Sequence, residues 1–300
     1  MANLYTHKDS NIRKTWLLLS SFFVFVVFLG WAFGYAYDAP EILYFAVALS
    51  LIMNGLSYWY SDKIALSMSG AKFVAREENT YFYRLVENLC ITAGLPLPRL
   101  YIIESSQINA FATGRNPQNA AIAVTRGALE KLQNEELEGV LAHELSHIGN
   151  RDILIMSVVV VLSGVIAMLA DWFLRMSFWG HRDNDSREGG GALILIVGLM
   201  AAILAPLAAT LIQLSVSRKR EFLADASGAL LTRFPQGLAN ALEKIDSDST
   251  PMRTAHNATA HLYISNPFKG KSGQSWFTHL FMTHPPIKER IAILRGMDMS

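Results

Sequence analysis

Cysteine is almost missing from this chain. Its 300 residues include one, Cys90, which excludes an intramolecular disulfide and any thiolate-rich metal site. Charge is scarce too: 17% of the residues are Asp, Glu, Lys or Arg, against about 25% in an ordinary soluble domain. The shortage favours neither sign, with 26 basic and 25 acidic side chains. No basic stripe interleaved with aromatics is present, so a nucleic-acid partner is not expected. There is also no internal repeat and no low-complexity tract, which excludes solenoid and fibrous classes. An ordinary cytosolic enzyme does not fit these shortages.

What the chain has instead is apolar length. Hydrophobic residues make up 51%, and four runs gather most of them: 17–37, 42–60, 153–174 and 192–216. Each is about 20 residues or longer, enough to cross a hydrocarbon core of about 30 Å. None has a polar face at helical spacing, as soluble core helices would. Four transmembrane helices are therefore expected, the last interrupted by Pro206, which neighbouring helices can accommodate. A secretory signal is the competing reading of the first run, because Arg13 and Lys14 precede it. The run is too long for one, no small-residue cleavage site follows, and the next run begins almost at once.

Lys and Arg near the helix ends set the expected orientation. Lys8, Arg13 and Lys14 precede the first run, and the short connection at 38–41 has no basic residue. Lys63, Lys72, Arg76 and Arg84 follow the second run; Arg218, Lys219 and Arg220 follow the fourth. The connection between the third and fourth runs mixes Arg175, Arg182 and Arg187 with Asp183, Asp185 and Glu188. This balance puts both termini, and residues 61–150, in the cytoplasm. Four parts result: a membrane hairpin at 1–60, a cytoplasmic portion at 61–152, an inserted membrane hairpin at 153–216, and a second cytoplasmic portion at 217–300.

Within the first cytoplasmic portion, 73–90 has apolar residues at helical spacing and predicts a helix ending at Gly94. A short strand at 99–104 follows Pro96 and Pro98. Residues 107–113 and 120–125 alternate like strands, and the turn formers between them predict a β-hairpin. A short helix is expected at 125–132. Asn134 then caps a further helix, with Glu135 and Glu136 in its first turn. The segment 246–271 reads as an irregular connection, and 285–297 as a final amphipathic helix.

The helix opened by Asn134 carries His143-Glu144-Leu145-Ser146-His147, an H-E-x-x-H pattern. Four residues apart on a helix, His143 and His147 project from one face, and two imidazoles so placed can share one tetrahedral Zn²⁺. Glu144 leans to the flank, within reach of a water at the metal without being a ligand. Catalytic zinc usually takes three protein ligands. His256, His261 and His279 are scattered in connections, and His7 and His181 are remote. Glu221 emerges directly after the fourth run, at the depth where the motif helix enters the third. Asp225 lies one turn further along the same face, where it could receive a hydrogen bond from the far nitrogen of a ligating histidine. A solvated helix face paired with Arg218 or Arg220 is the alternative for both; a motif short of one ligand favours the metal role. An edge strand beside a motif helix can accept a substrate backbone as an added strand, which makes Asn109, Ala110, Phe111 and Ala112 candidates. An ordinary hairpin would have the same sequence.

The motif, the SRKREFLAD stretch at 217–225, and THPP at 283–286 followed by Glu289, Arg290 and Ile291 together resemble the HtpX-type heat-shock membrane metallopeptidases, relatives of the CAAX prenyl endopeptidases. Asn109 to Ala112 and the YISNP stretch at 263–267 resemble that family as well, and the resemblance runs from the first membrane run to the last helix. It implies a mainly α integral membrane protein whose cytoplasmic α+β, gluzincin-like domain has a small β-sheet, in a bacterial or archaeal inner membrane. It implies one Zn²⁺ per chain held by His143, His147 and Glu221, with Glu144 as general base, Asp225 behind the ligands and His284 near the scissile bond. Membrane-protein or unfolded-protein substrates, quality control under stress and a lipid bilayer as surroundings follow from the same resemblance.

The chemistry is consistent on its own terms. Zn²⁺ lowers the pKa of a water to about 7, Glu144 takes its proton and passes it to the leaving amine, and His284 can steady the developing oxyanion. The alternative for His284 is a helix N-cap, and Arg290 is expected to pair with a carboxylate. An intramembrane site-two-type protease is disfavoured because Glu135, Glu136 and Glu138 precede the motif. A prenyl-protein endopeptidase would need more spans. A non-proteolytic zinc-dependent scaffold would need no Glu144.

Overall fold

The computed structural model describes residues 4–36, 38–179, 218–252, 255–256, 258–268 and 285–297. Two long helices open the chain, α1 (Leu4–Ala36) and α2 (Glu41–Met68). They lie against each other as a hairpin. Gly30 permits the close approach, since a Cβ there would stand 2.3 Å from that of Ala46. Asn54 donates from Nδ2 to the Leu19 carbonyl (3.3 Å), and Trp16 stacks on Tyr58 with ring centroids 5.7 Å apart. Trp31, Phe28, Tyr44, Phe45 and Leu51 are among many large apolar side chains left exposed on these two helices, which suits lipid as the surrounding medium. Among the described residues, Asp9–Tyr35 and Glu41–Met68 are long and apolar enough to cross a membrane.

The mixed sheet has the order β1-β2-β4-β3, from β1 (Ala71–Phe73), β2 (Arg99–Ile103), β3 (Ala110–Gly114) and β4 (Ala120–Thr125). β1 is antiparallel to β2, β2 is parallel to β4, and β3 closes an antiparallel hairpin with β4. The hairpin expected from the turn formers is present. The helix expected from Phe73 is not: Phe73 ends β1, and α3 (Thr80–Ala93) starts only after Asn79, whose Oδ1 accepts from the Phe82 N–H at 3.0 Å. A three-residue strand is too short to show its period, so the apolar spacing of the helix absorbed it. Gly94 does end α3, with φ 63°.

After α4 (Arg126–Lys131), the motif helix α5 spans Asn134–Gly149. Its N-cap is Gln133 rather than Asn134: Gln133 has extended backbone, and its N–H donates to Glu136 Oε2 at 2.7 Å. Asn134 instead accepts from the Tyr81 hydroxyl at 2.8 Å. α6 (Asp152–Trp179) leaves α5 at a bend of 85° and packs Leu154, Val158 and Leu162 on Leu18 and Phe22 of α1. The run 153–174 lies within α6; the run 192–216 lies outside the described residues. α7 (Arg218–Thr232), α8 (Pro235–Ser247) and α9 (Ile287–Arg295) complete the helices described. α8 extends slightly into the expected irregular stretch, and a 3-10 turn, Ala260–Leu262, interrupts it.

Candidate metal centre

α5 is the axis of the site because its neighbours approach it as closely as backbone allows. Gly139 admits α8, since a Cβ there would stand 2.6 Å from the Leu238 nitrogen. Gly228 admits α7 at the motif itself, where a Cβ would lie 3.0 Å from the His143 nitrogen. Glu221, Asp225 and Gly228 are spaced i, i+4, i+7, so the face that touches α5 also delivers both carboxylates. The helix–helix contact and the site have the same cause.

His143, His147 and Glu221 are buried, and one ligand atom from each lies within 4.8 Å of the others. The two Nε2 atoms face each other at 3.2 Å. Glu221 stands 3.9 Å from that of His143 and 3.6 Å from that of His147. Each Nδ1 faces a carboxylate: His143 meets Asp225 at 2.9 Å, and His147 meets Asp152 at 3.0 Å. Those contacts fix the Nδ1–H tautomer, so both Nε2 atoms present lone pairs to the same point. Two lone pairs facing each other call for a cation between them. Neighbouring ligands of tetrahedral zinc, about 2.0–2.1 Å from the ion, sit about 3.3 Å apart, close to the Nε2 spacing. Charge leads to the same conclusion. The buried carboxylates Glu144, Asp152, Glu221 and Asp225 outnumber the buried guanidinium groups Arg220 and Arg290, an excess that suits a bound cation. The residues fit Zn²⁺.

The carboxylates behind the histidines are themselves held. Burial disfavours an ionised Asp225, but Arg290 outweighs it, donating from Nε at 2.8 Å and Nη2 at 2.7 Å, and with His143 holds the carboxyl down at about 2. Arg290 thus pairs with a carboxylate, as expected. Burial likewise opposes charge on His147, yet the Asp152 hydrogen bond and the Glu221, Asp152 and Glu144 charges lift its pKa to about 9; a metal held at Nε2 would take the place of that proton on the lone pair. Glu144 is buried and its pKa is raised, chiefly by desolvation, while the histidines and a hydrogen bond from the Ala112 backbone pull the other way.

Asp152, Asn11 and Arg220 belong to this site without having been singled out in the sequence. Asn11 on α1 donates from Nδ2 to Asp152 Oδ1 at 2.6 Å and accepts from Arg220 at 3.3 Å. The available signal was the N-R-D stretch after the motif, since a helix that breaks there can turn a carboxylate back onto His147. Arg151 supplies the break, with φ 61°.

At the edge strand, alternate residues of β3 turn their backbone away from β4. The Ala110 carbonyl accepts from the Ile264 N–H at 3.0 Å, and the Gly114 N–H donates to Ser157 Oγ at 3.1 Å. Ala112 lies between them, facing Glu144. Asn109 donates to the Ser265 carbonyl at 3.0 Å, and Phe111 meets Tyr263 edge-on. Those side chains are engaged within the protein, so what β3 presents toward the site is backbone. His261 donates from Nε2 to the Met156 carbonyl at 3.2 Å, away from the cluster. His284 lies outside the described residues.

The profile of peptidase family M48 matches residues 76–298, a stretch that holds all of the clustered donors. The chain belongs to peptidase family M48. It is 44% identical over 300 residues to a protease HtpX homolog of Thermoanaerobacter pseudethanolicus, covering 99% of this chain and 98% of the relative. A protease HtpX homolog of Syntrophobacter fumaroxidans is 46% identical over 292 residues, covering 95% and 98%. Among solved structures, S. mikatae Ste24p aligns with a TM-score of 0.48 at 19% identity, over 97% of this chain and 67% of that one. The M48 chain is thus a membrane metallopeptidase with a donor set for zinc, which disfavours the scaffold reading.

Proposed function

We propose that this M48 peptidase is an HtpX-type endopeptidase that cuts membrane or unfolded proteins at the cytoplasmic face of a bacterial or archaeal inner membrane, as part of stress-related quality control. It crosses the bilayer four times, with both termini in the cytoplasm. One observation carries the reading: His143, His147 and Glu221 converge in a buried cluster with Glu144 beside them. The relatives that match along nearly the whole chain are named as HtpX proteases. The Lys/Arg distribution supports the orientation.

In this reading His143, His147 and Glu221 hold the metal. Zinc bound there acidifies water and polarises the scissile carbonyl. Glu144 accepts the proton of the attacking water and hands it to the leaving amine; its raised proton affinity suits a group that must hold a proton between those events. Asp225 and Asp152 keep the imidazoles turned so that Nε2 points inward. Backbone of β3 around Ala112 aligns the substrate strand beside Glu144, and His284 donates to the developing oxyanion.

The test is cleavage of an unfolded substrate such as casein by the purified full chain, with zinc, with a chelator, and as Glu144→Gln. Fragments in the zinc sample alone support the proposal. Fragments that persist with chelator or in the variant would reject it.

A further inference from the structure

The geometry points to a second site, a cleft for the phosphate of an anionic lipid headgroup where α2 leaves the membrane. It lies between the end of α2 and the turn after β3, and encloses about 470 Å³, within the range of about 300–1,000 Å³ usual for small-ligand sites. Trp59, Tyr60, Asp62, Lys63, Arg99 and Arg115 line it. Three of these are cations and one is an anion. Asp62 is engaged by Arg99, so the cleft keeps two positive charges beyond that pair. Among the described residues, Lys63 and Arg115 form no ion pair. Each meets an aromatic ring instead: Arg115 Cζ lies 4.2 Å from the Trp59 centroid, and Lys63 Nζ 5.2 Å from that of Tyr60. A guanidinium held over a ring makes no hydrogen bond to it through the ring plane and keeps N–H donors for a phosphate oxygen pair.

Depth selects the ligand. Trp59 and Tyr60 end the apolar run of α2 and are exposed, and the stacked Trp16 and Tyr58 sit at the same level. Such a belt marks the plane of the lipid headgroups, where basic side chains gain from anionic lipid. A lipid phosphate reaches this cleft laterally, with its acyl chains against the apolar surface of α2. Arg115 directly follows Gly114, whose N–H is held by Ser157, so a bound headgroup would anchor the outer end of the strand that borders Glu144. The inference rests on reading α2 as a membrane helix.

The test uses the delipidated full chain offered equal parts phosphatidylglycerol and phosphatidylcholine, with bound lipid counted by native mass spectrometry. Wild type should retain phosphatidylglycerol preferentially, and Lys63→Gln/Arg115→Gln should reduce that preference by about fivefold per charge removed. Lys72→Gln/Arg84→Gln, an equal charge change elsewhere, should leave it intact, and Arg115→Lys should retain most of it. Melting curves of every variant exclude misfolding as the cause. Equal loss in both double variants, no preference in wild type, or displacement of the lipid by millimolar inorganic phosphate would overturn the lipid site. None of those results touches the peptidase reading, because no arm measures cleavage.

Discussion

Glu221 and Asp225 are the same kind of group, one turn apart on one face of α7, yet they stand in different places. Glu221 stands in front of the two Nε2 atoms, whereas Asp225 stands behind His143 at its Nδ1 and is clasped by Arg290. Glu221→Ala should therefore lose both zinc and activity. Asp225→Ala should keep zinc at least partly and lose roughly 10- to 100-fold in affinity or activity. Metal content of the two purified variants decides between them: full zinc in Glu221→Ala with none in Asp225→Ala reverses the assignment. Glu144 differs from both, being buried at the cluster without offering a ligand atom to it. Glu144→Gln should bind zinc like the wild type and hydrolyse at most a few per cent as fast, since in the proposed mechanism only the proton acceptor is gone.

At the scale of elements, the bend between α5 and α6 is what closes the site. Arg151 adopts φ 61°, a region that costs a non-glycine residue about 1–2 kcal/mol and that β-branched side chains enter least well. Arg151→Gly should keep zinc and activity and raise stability slightly, whereas Arg151→Val should destabilise and loosen zinc, because Asp152 would no longer be turned back onto His147. Equal behaviour of the two variants would show that the bend is set elsewhere. A second device anchors the edge strand. Asp248 accepts from the Ile108 N–H at 2.9 Å and the Thr250 N–H at 3.0 Å and pairs with Lys131. Burial pushes its pKa up, but these bonds outweigh it and hold the carboxyl at about 2. A depressed carboxyl stabilises the fold above its unfolded pKa of about 3.9, and that contribution fades as pH falls through about 2. Asp248→Asn should melt below the wild type at pH 7 by about 1–2 kcal/mol, with the gap closing between those two pH values. A gap that stays constant to low pH would contradict this. The sequence made α5, the hairpin and the spacing of Glu221 legible because periodicity and turn chemistry are local. Asp152, Asn11 and the Gln133 cap were not legible, because each depends on where the chain turns or on a helix 139 or more residues away.

Across the whole molecule, the site is assembled from chain segments that the membrane must hold in register. Asn11 on the first membrane helix reaches Asp152 at the start of α6, so α1 is tied to a metal-site histidine through a single carboxylate. That tie requires residue 11 and the motif to lie on one side of the bilayer, which agrees with the charge pattern: Lys8, Arg13 and Lys14 before the first run, Lys63 to Arg84 after the second, and Arg218 to Arg220 after the fourth. Basic residues within about 15–20 positions of a span hold their side in the cytoplasm. The connection at 38–41 has none, and the one at 176–191 has no clear excess. Reporters fused after Ser300 and within 61–70 should therefore read cytoplasmic, and reporters at 38–41 and near Asn184 should read the opposite side. The Asn184 position is the discriminating one. A cytoplasmic signal there, with the other three as expected, would mean that the chain enters and leaves the membrane on one face after the motif, so the four-span topology would fall while the 38–41 hairpin and the metal cluster stood.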